Sequence, residues 1–204
     1  KFYIEYVRDG WTNALPSQMD LVEREEVLAP HVLRRGIPVY VEKPSANTSA
    51  EAKELCEIAA AHDTWGQCGF MKHFADIYRM AKDIISREEF GPVNKVSAKF
   101  AQGPYPQIWG IDSAKRSMLI GQLCHIFDLI RWFGGDVDTV SALYHEVTPT
   151  QFAYLVNLKY KSGAVGQLDV NGIEHKQGFR DIHEVLHVTG LESYVECVDM
   201  LHLT

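Results

Sequence analysis

The chain has 204 residues, enough for one large domain or two small ones, with the 46% hydrophobic and 23% charged residues of an ordinary globular protein. A formal net charge of −7 without a dense Lys/Arg patch argues against a nucleic-acid partner or an anionic membrane surface. No apolar run approaches the roughly 20 residues of a membrane helix. The N-terminal Lys1-Phe2-Tyr3-Ile4-Glu5 has no signal-peptide character. Cys56, Cys68, Cys124 and Cys197 form no Cys-x-x-Cys pair, so reduced thiols in a cytoplasmic protein are expected rather than a disulfide framework or a zinc knuckle.

In chain order, residues 20–35 read as a helix, with Arg34 and Arg35 in its last turn, Gly36 just past its end and a kink at Pro30. Ile37-Pro38-Val39-Tyr40-Val41 follows, a short apolar run without polar alternation, as in a strand buried on both faces of a parallel sheet. Thr48-Ser49-Ala50-Glu51 has the form of a capping box. The helix it opens carries Ala52, Leu55, Cys56, Ala59 and Ala60 on one face. A strand from about Thr64 to Phe70 completes a βαβ unit, whose crossover is nearly always right-handed.

The second half changes character. A helix is predicted from about Phe74 to Ile85 and a strand from Val93 to Ala101. A loop follows from Gly103 to Lys115, then a strongly apolar helix from Ser117 to Phe133 ended by Gly134-Gly135. Beyond it come strand signals only: Val137–Glu146, Phe152–Lys161, Ala164–Asn171, His183–Thr189 and Tyr194–Val198, with Lys161-Ser162-Gly163 as a hairpin turn. The fold class is therefore α/β for residues 1–70, with the pattern of the C-terminal part of a Rossmann dinucleotide-binding domain. Residues 71–204 read as an α+β domain with a largely antiparallel open sheet.

Three places could carry chemistry. Lys43 directly follows a parallel strand, and ligands of open α/β sheets bind at the carboxyl ends of strands. A lysine there can stabilise an alkoxide as a hydride leaves, and Pro44 holds Lys43 extended with a Lys-Pro bond able to be cis. On a helix of 3.6 residues per turn Gly121, His125, Asp128 and Trp132 share one face, apart from the apolar stripe of Leu119, Leu123, Ile126, Ile130 and Phe133. Asp128, one turn on, is then placed to orient the His125 ring and raise its pKa. His183-Glu184-Val185-Leu186-His187 matches the zinc-peptidase pattern His-Glu-x-x-His, but it lies among strand signals and the third-ligand position holds Ser193. Residues four apart on a strand are roughly 13 Å from each other, too far to share one metal.

At Val39-Tyr40-Val41-Glu42-Lys43-Pro44-Ser45-Ala46-Asn47-Thr48 the sequence resembles the glucose–fructose oxidoreductase / inositol dehydrogenase (Gfo/Idh/MocA) family, whose mark is Glu-Lys-Pro after a Rossmann strand. The resemblance continues at Gly69-Phe70-Met71-Lys72-His73-Phe74, similar to the family's Gly-Phe-x-Arg-Arg-Phe/Tyr, and at Tyr78. It resumes at Cys124–Gly134, which looks like the family's His-x-x-Asp helix. The hairpin Tyr160 to Gly166 and the turn Val188–Ser193 also fit, so it spans residue 16 to the end.

The resemblance implies NAD- or NADP-dependent hydride transfer at a sugar, cyclitol or related polyol. It implies Lys43 and His125 as catalytic residues, with His125 the general acid/base. Pro16, Glu42, Lys43 and Pro44 are expected near the cofactor; Lys72, Asp128 and Asp112 are expected to face the substrate; no metal is expected. A homo-oligomer formed through the C-terminal sheet is expected, without nucleic acid or membrane. Two departures stand out. Where the family usually has an Asp four residues before the His, this chain has Gly121, with Asp112 as a possible substitute, and a non-catalytic sensor of the same fold is the alternative this favours. No Gly-x-Gly-x-x-Gly occurs, so the chain is expected to be partial at both ends. Elemental analysis of the purified chain is expected to find no stoichiometric zinc; one tightly held zinc, lost in His187→Ala, would contradict the strand reading.

Overall fold

The computed structural model describes residues 28–46, 48–108, 111–174 and 180–203. They fall into two compact units that part between Gly69 and Phe70, with Ile108–Asp112 belonging to the first.

In the first unit residues 28–33 are helical (α1); the part of the expected helix before residue 28 lies outside the described residues. Ala29, Val32 and Leu33 of α1 form one core with Val39 and Val41 of β1 (Val39–Val41) and Ala59 of α2 (Ser49–Ala61). The capping box forms as the sequence dictates: Glu51 N donates to Thr48 Oγ1 at 3.2 Å, and Thr48 N donates to Glu51 Oε2 at 2.9 Å. β1 pairs in parallel with β2 (Gly66–Cys68), Val39 opposite Gly66 and Val41 opposite Cys68. The strand–helix–strand crossover is therefore present, with β2 shorter than expected. Tyr40 is half exposed, so among the described residues β1 is covered on one face only. Successive side chains of a strand point to opposite faces, and α1 and α2 cover the face of Val39 and Val41.

The second unit opens with one 3-10 turn, Met71–Phe74, and α3 (Asp76–Ile85). The single helix expected over 117–133 is two: α4 (Ala114–Gly121) and α5 (Cys124–Gly134). Ser113 starts α4 early, its Oγ accepting from Arg116 N at 3.4 Å. Gly121, which costs a helix about 1 kcal/mol relative to Ala, stands where α4 ends. Leu123, fully buried, anchors the break.

Six strands form one sheet: β3 (Lys95–Ala101), β4 (Val137–Thr148), β5 (Gln151–Tyr160), β6 (Val165–Asn171), β7 (Arg180–Thr189) and β8 (Tyr194–Leu203), in the order β4-β5-β6-β3-β7-β8. All pairings are antiparallel except β3 with β6. The expected hairpin turn is made, with Gly163 N donating to Tyr160 O at 2.9 Å. α5 packs on β3. Val96, Ala98 and Phe100 of β3 are buried, as are Leu168 and Val170 of β6, Leu186 and Val188 of β7, and Ile126, Leu129, Ile130 and Phe133 of α5. Burying each of the larger side chains is worth about 1.5–3 kcal/mol.

The turn between β7 and β8 is packed without slack. A Cβ on Gly190 would stand 2.2 Å from the Phe90 carbonyl oxygen and 2.6 Å from its ring. Backbone and a buried ring cannot both move aside, so Gly190→Ala is expected to destabilise the unit by about 1–3 kcal/mol, the cost of overpacking, read as a lower urea midpoint at unchanged m-value.

Candidate active-site residues

In the first unit the chain leaves β1 through Glu42, Lys43 and Pro44. Glu42 is exposed, Lys43 and Pro44 are half-buried, and the Lys43–Pro44 peptide is cis. The neighbouring strand end closes on the same edge, where Gly69 N donates to Val41 O at 2.9 Å. A Cβ on Gly69 would lie 2.7 Å from the Tyr40 hydroxyl and 3.1 Å from Glu42 Oε2, so a glycine lets these two side chains lean across the strand end. Burial pushes the Cys68 thiol up, the Glu42 charge adds to this, and hydrogen bonding with Ser45 opposes it. Asp112 is exposed and belongs to this unit. Pro16 lies outside the described residues.

In the second unit His125 sits in the first turn of α5 and is 5% exposed. The Phe70 ring meets it edge-on, with centroids 6.1 Å apart and planes at 86°. Gly121 ends α4, and His125 lies in the first turn of α5 beyond a break at Gln122 and Leu123. Asp128 Oδ2 lies 2.6 Å from His73 Nε2, and the His73 ring stacks on Trp132 at 4.1 Å and 12°. Burial pushes the Asp128 carboxyl up, while the charges of His73 and Arg131 oppose the rise.

Lys72 is buried. Its Nζ lies 3.0 Å from Glu184 Oε1, and Tyr78 donates its hydroxyl proton to the same oxygen. Lys72 Nζ also stands 5.7 Å from the centre of the Tyr78 ring. Glu184 is fully buried on β7 in register with Leu186 and Val188, and its Oε2 has no hydrogen-bond partner among the described residues. His183 and His187 occupy the alternate positions and so point to the opposite face. His187 stacks on Tyr194 and lies 3.3 Å from Glu196. The glutamate of the His-Glu-x-x-His match thus faces away from both histidines, and no group of three metal-binding side chains occurs among the described residues. The pairing of Glu184 was missed from sequence. Its signal is an acid at an inward-facing strand position, which demands a buried partner.

A strand–helix–strand unit with a parallel pair, followed by a six-stranded, largely antiparallel sheet backed by helices, defines the class: an α/β unit and an α+β domain. Residues 78–192 match the GFO/IDH/MocA C-terminal domain, and the chain belongs to the Gfo/Idh/MocA family. It is 29% identical over 174 residues to an inositol 2-dehydrogenase of Leifsonia xyli subsp. xyli, covering 81% of this chain and 49% of that protein. It is 26% identical over 131 residues to the rhizopine catabolism protein MocA of Rhizobium meliloti, covering 64% and 39%. Among solved structures, a dehydrogenase from Chromobacterium violaceum superposes with TM-score 0.78 at 22% identity, covering 86% of this chain and 51% of that one. GenD2 from gentamicin A biosynthesis, in complex with NAD, does so with TM-score 0.72 at 23% identity over the same shares of 86% and 51%. The chain spans about half the length of the first of these curated relatives. No helix among the described residues is long and apolar enough to cross a membrane.

The buried Lys72–Glu184 pair generates a stability test. Glu184→Gln removes the negative charge that faces the buried Lys72 ammonium and is expected to cost about 3–5 kcal/mol in urea unfolding, whereas Lys72→Met combined with Glu184→Leu should recover most of the loss.

Proposed function

We propose that this chain serves NAD- or NADP-dependent hydride transfer at a carbinol carbon of a sugar, cyclitol or related polyol. The observation that carries the reading is Lys43 at the carboxyl end of a parallel strand, where open α/β sheets bind their ligands. Membership of the family supports it, as do relatives named inositol 2-dehydrogenase and a solved neighbour in complex with NAD.

Glu42, Lys43 and Pro44 form an open, polar strand end that suits a nicotinamide ring, with Pro16 as a further candidate from sequence alone. The 204 residues contain no glycine-rich turn for a pyrophosphate, so the fit concerns the nicotinamide end. When bound, the cofactor supplies the hydride acceptor. The Lys43 ammonium donates to the substrate oxygen and steadies the alkoxide as charge develops. His125 receives the hydroxyl proton, a histidine being the side chain whose ordinary pKa lies closest to neutrality. Asp128 and Asp112 are carboxylates for substrate hydroxyls, while the Lys72 charge is met by Glu184 within its own unit. Self-association through the open face of the sheet belongs to the same reading, since Leu143 and Leu155, paired across β4 and β5, are 72% and 46% exposed.

A second reading, a non-catalytic sensor of the same fold, is favoured by Gly121, a buried glycine ending α4 where the family pattern carries a carboxylate. A panel of polyols offered with NAD and with NADP to the complete protein, glycine-rich turn included, separates the two. Oxidation of at least one polyol is expected. His125→Ala should then lower turnover by roughly 10²–10⁴-fold with cofactor binding kept, and Lys43→Ala should impair both turnover and substrate binding. Dinucleotide binding without turnover of any polyol would establish the sensor. Unchanged activity in His125→Ala would remove His125 from its role.

A further inference from the structure

The 3-10 turn Met71–Phe74 carries two basic residues that part company. Lys72 goes inward to Glu184, and His73 turns to α5. There His73 is held twice: its Nε2 lies 2.6 Å from Asp128 Oδ2, and its ring lies flat on Trp132 at 4.1 Å. Asp128 and Trp132 stand one turn apart on α5, the spacing at which two helical side chains meet the same partner. Trp132 is fixed in turn by α3. Lys82 Nζ donates to its carbonyl oxygen and lies 5.5 Å from its ring centre and 5.4 Å from that of Phe133.

What the turn delivers is Phe70. The backbone N of His73 donates to Phe70 O at 3.4 Å, so the two residues belong to one turn. The Phe70 ring stands edge-on to His125, itself one turn before Asp128 on α5. An imidazole that is 5% exposed is confined by what packs on it. A displacement of about 1 Å in a reacting group can cost up to 10²-fold in rate.

We propose that His73 is a positioning residue for His125: its ion pair with Asp128 and its stack on Trp132 clamp the turn to α5 and thereby hold the Phe70 edge against the His125 ring. The proposal rests on the reading of His125 as the proton acceptor. It also assigns Asp128 to the clamp, in place of direct orientation of His125. Arginine is the conservative replacement, because a guanidinium can pair with a carboxylate and stack on an indole at once.

The test compares His73→Ala, His73→Arg and Asp128→Asn in the full chain. The readouts are the ring proton and nitrogen signals of His125, assigned by their loss in His125→Gln, and the steady-state constants. His73→Ala is expected to shift and broaden the His125 signals and to lower kcat on the order of 10-fold to 100-fold with KM kept, and Asp128→Asn is expected to disturb the same signals and to lower kcat likewise. His73→Arg is expected to restore both. His125 signals that keep their wild-type positions in folded His73→Ala or Asp128→Asn overturn the proposal, as does a loss of kcat that His73→Arg fails to rescue. If the wild-type protein oxidises no polyol, the proposed reaction fails, and the His125 signals alone decide the clamp.

Discussion

A carboxylate with no exposed surface has to be met from within the fold, and Glu184 sets the terms for the second unit. An unpaired charge in a core is so unfavourable that it is either neutralised or paired. Here Lys72 and Tyr78 converge on one of its oxygens from residues that precede the sheet, and Tyr78 and Glu184 are 106 positions apart in sequence. The contact ties the first turn of the unit, helix α3 and strand β7 into one body. With the turn fixed from inside by Lys72, its neighbour His73 faces α5 and Phe70 meets His125. The cluster also raises the cost of change nearby. Burial pushes the Cys197 thiol to about 11, with the Glu184 charge adding to the rise.

Much of this was legible in the sequence where local chemistry decides the outcome. Thr48 and Glu51 cap α2 because each carries the donor or acceptor the other lacks, and that requirement is complete within four residues. The strands of the second unit were legible because β-branched and aromatic runs alternate with turn residues, and Lys161-Ser162-Gly163 turns where it should. Residues 183–187 are strand in the structure as the sequence predicts, since the β-branched setting outweighs a short motif with the wrong period.

The misreadings all involve choices made by tertiary packing. Apolar periodicity runs unbroken from Ser117 to Phe133, and nothing in it announces that buried Leu123 anchors a break between α4 and α5. Asp128, one turn from His125 in sequence, lies 2.6 Å from His73, which comes from another element and which helical spacing alone does not reveal. Among the described residues β1 is covered on the face of Val39 and Val41, while the Tyr40 ring is half exposed.

The one parallel seam in the sheet has a consequence for biosynthesis. β3 lies at the centre, yet it is made first of the six strands, and both of its neighbours, β6 and β7, come from later in the chain. As the nascent chain grows, β3 waits with two bare edges until Val165–Asn171 and then Arg180–Thr189 have been synthesised. Such a strand is open to pairing with other chains in the interval. Its sequence carries a defence, since Lys95 and Lys99 alternate with the buried residues Val96, Ala98 and Phe100 and place charge on the face that stays uncovered. In the finished sheet Lys99 lies 3.5 Å from Asp169 on β6, so a charge that keeps strangers away from the lone strand goes on to welcome its proper neighbour.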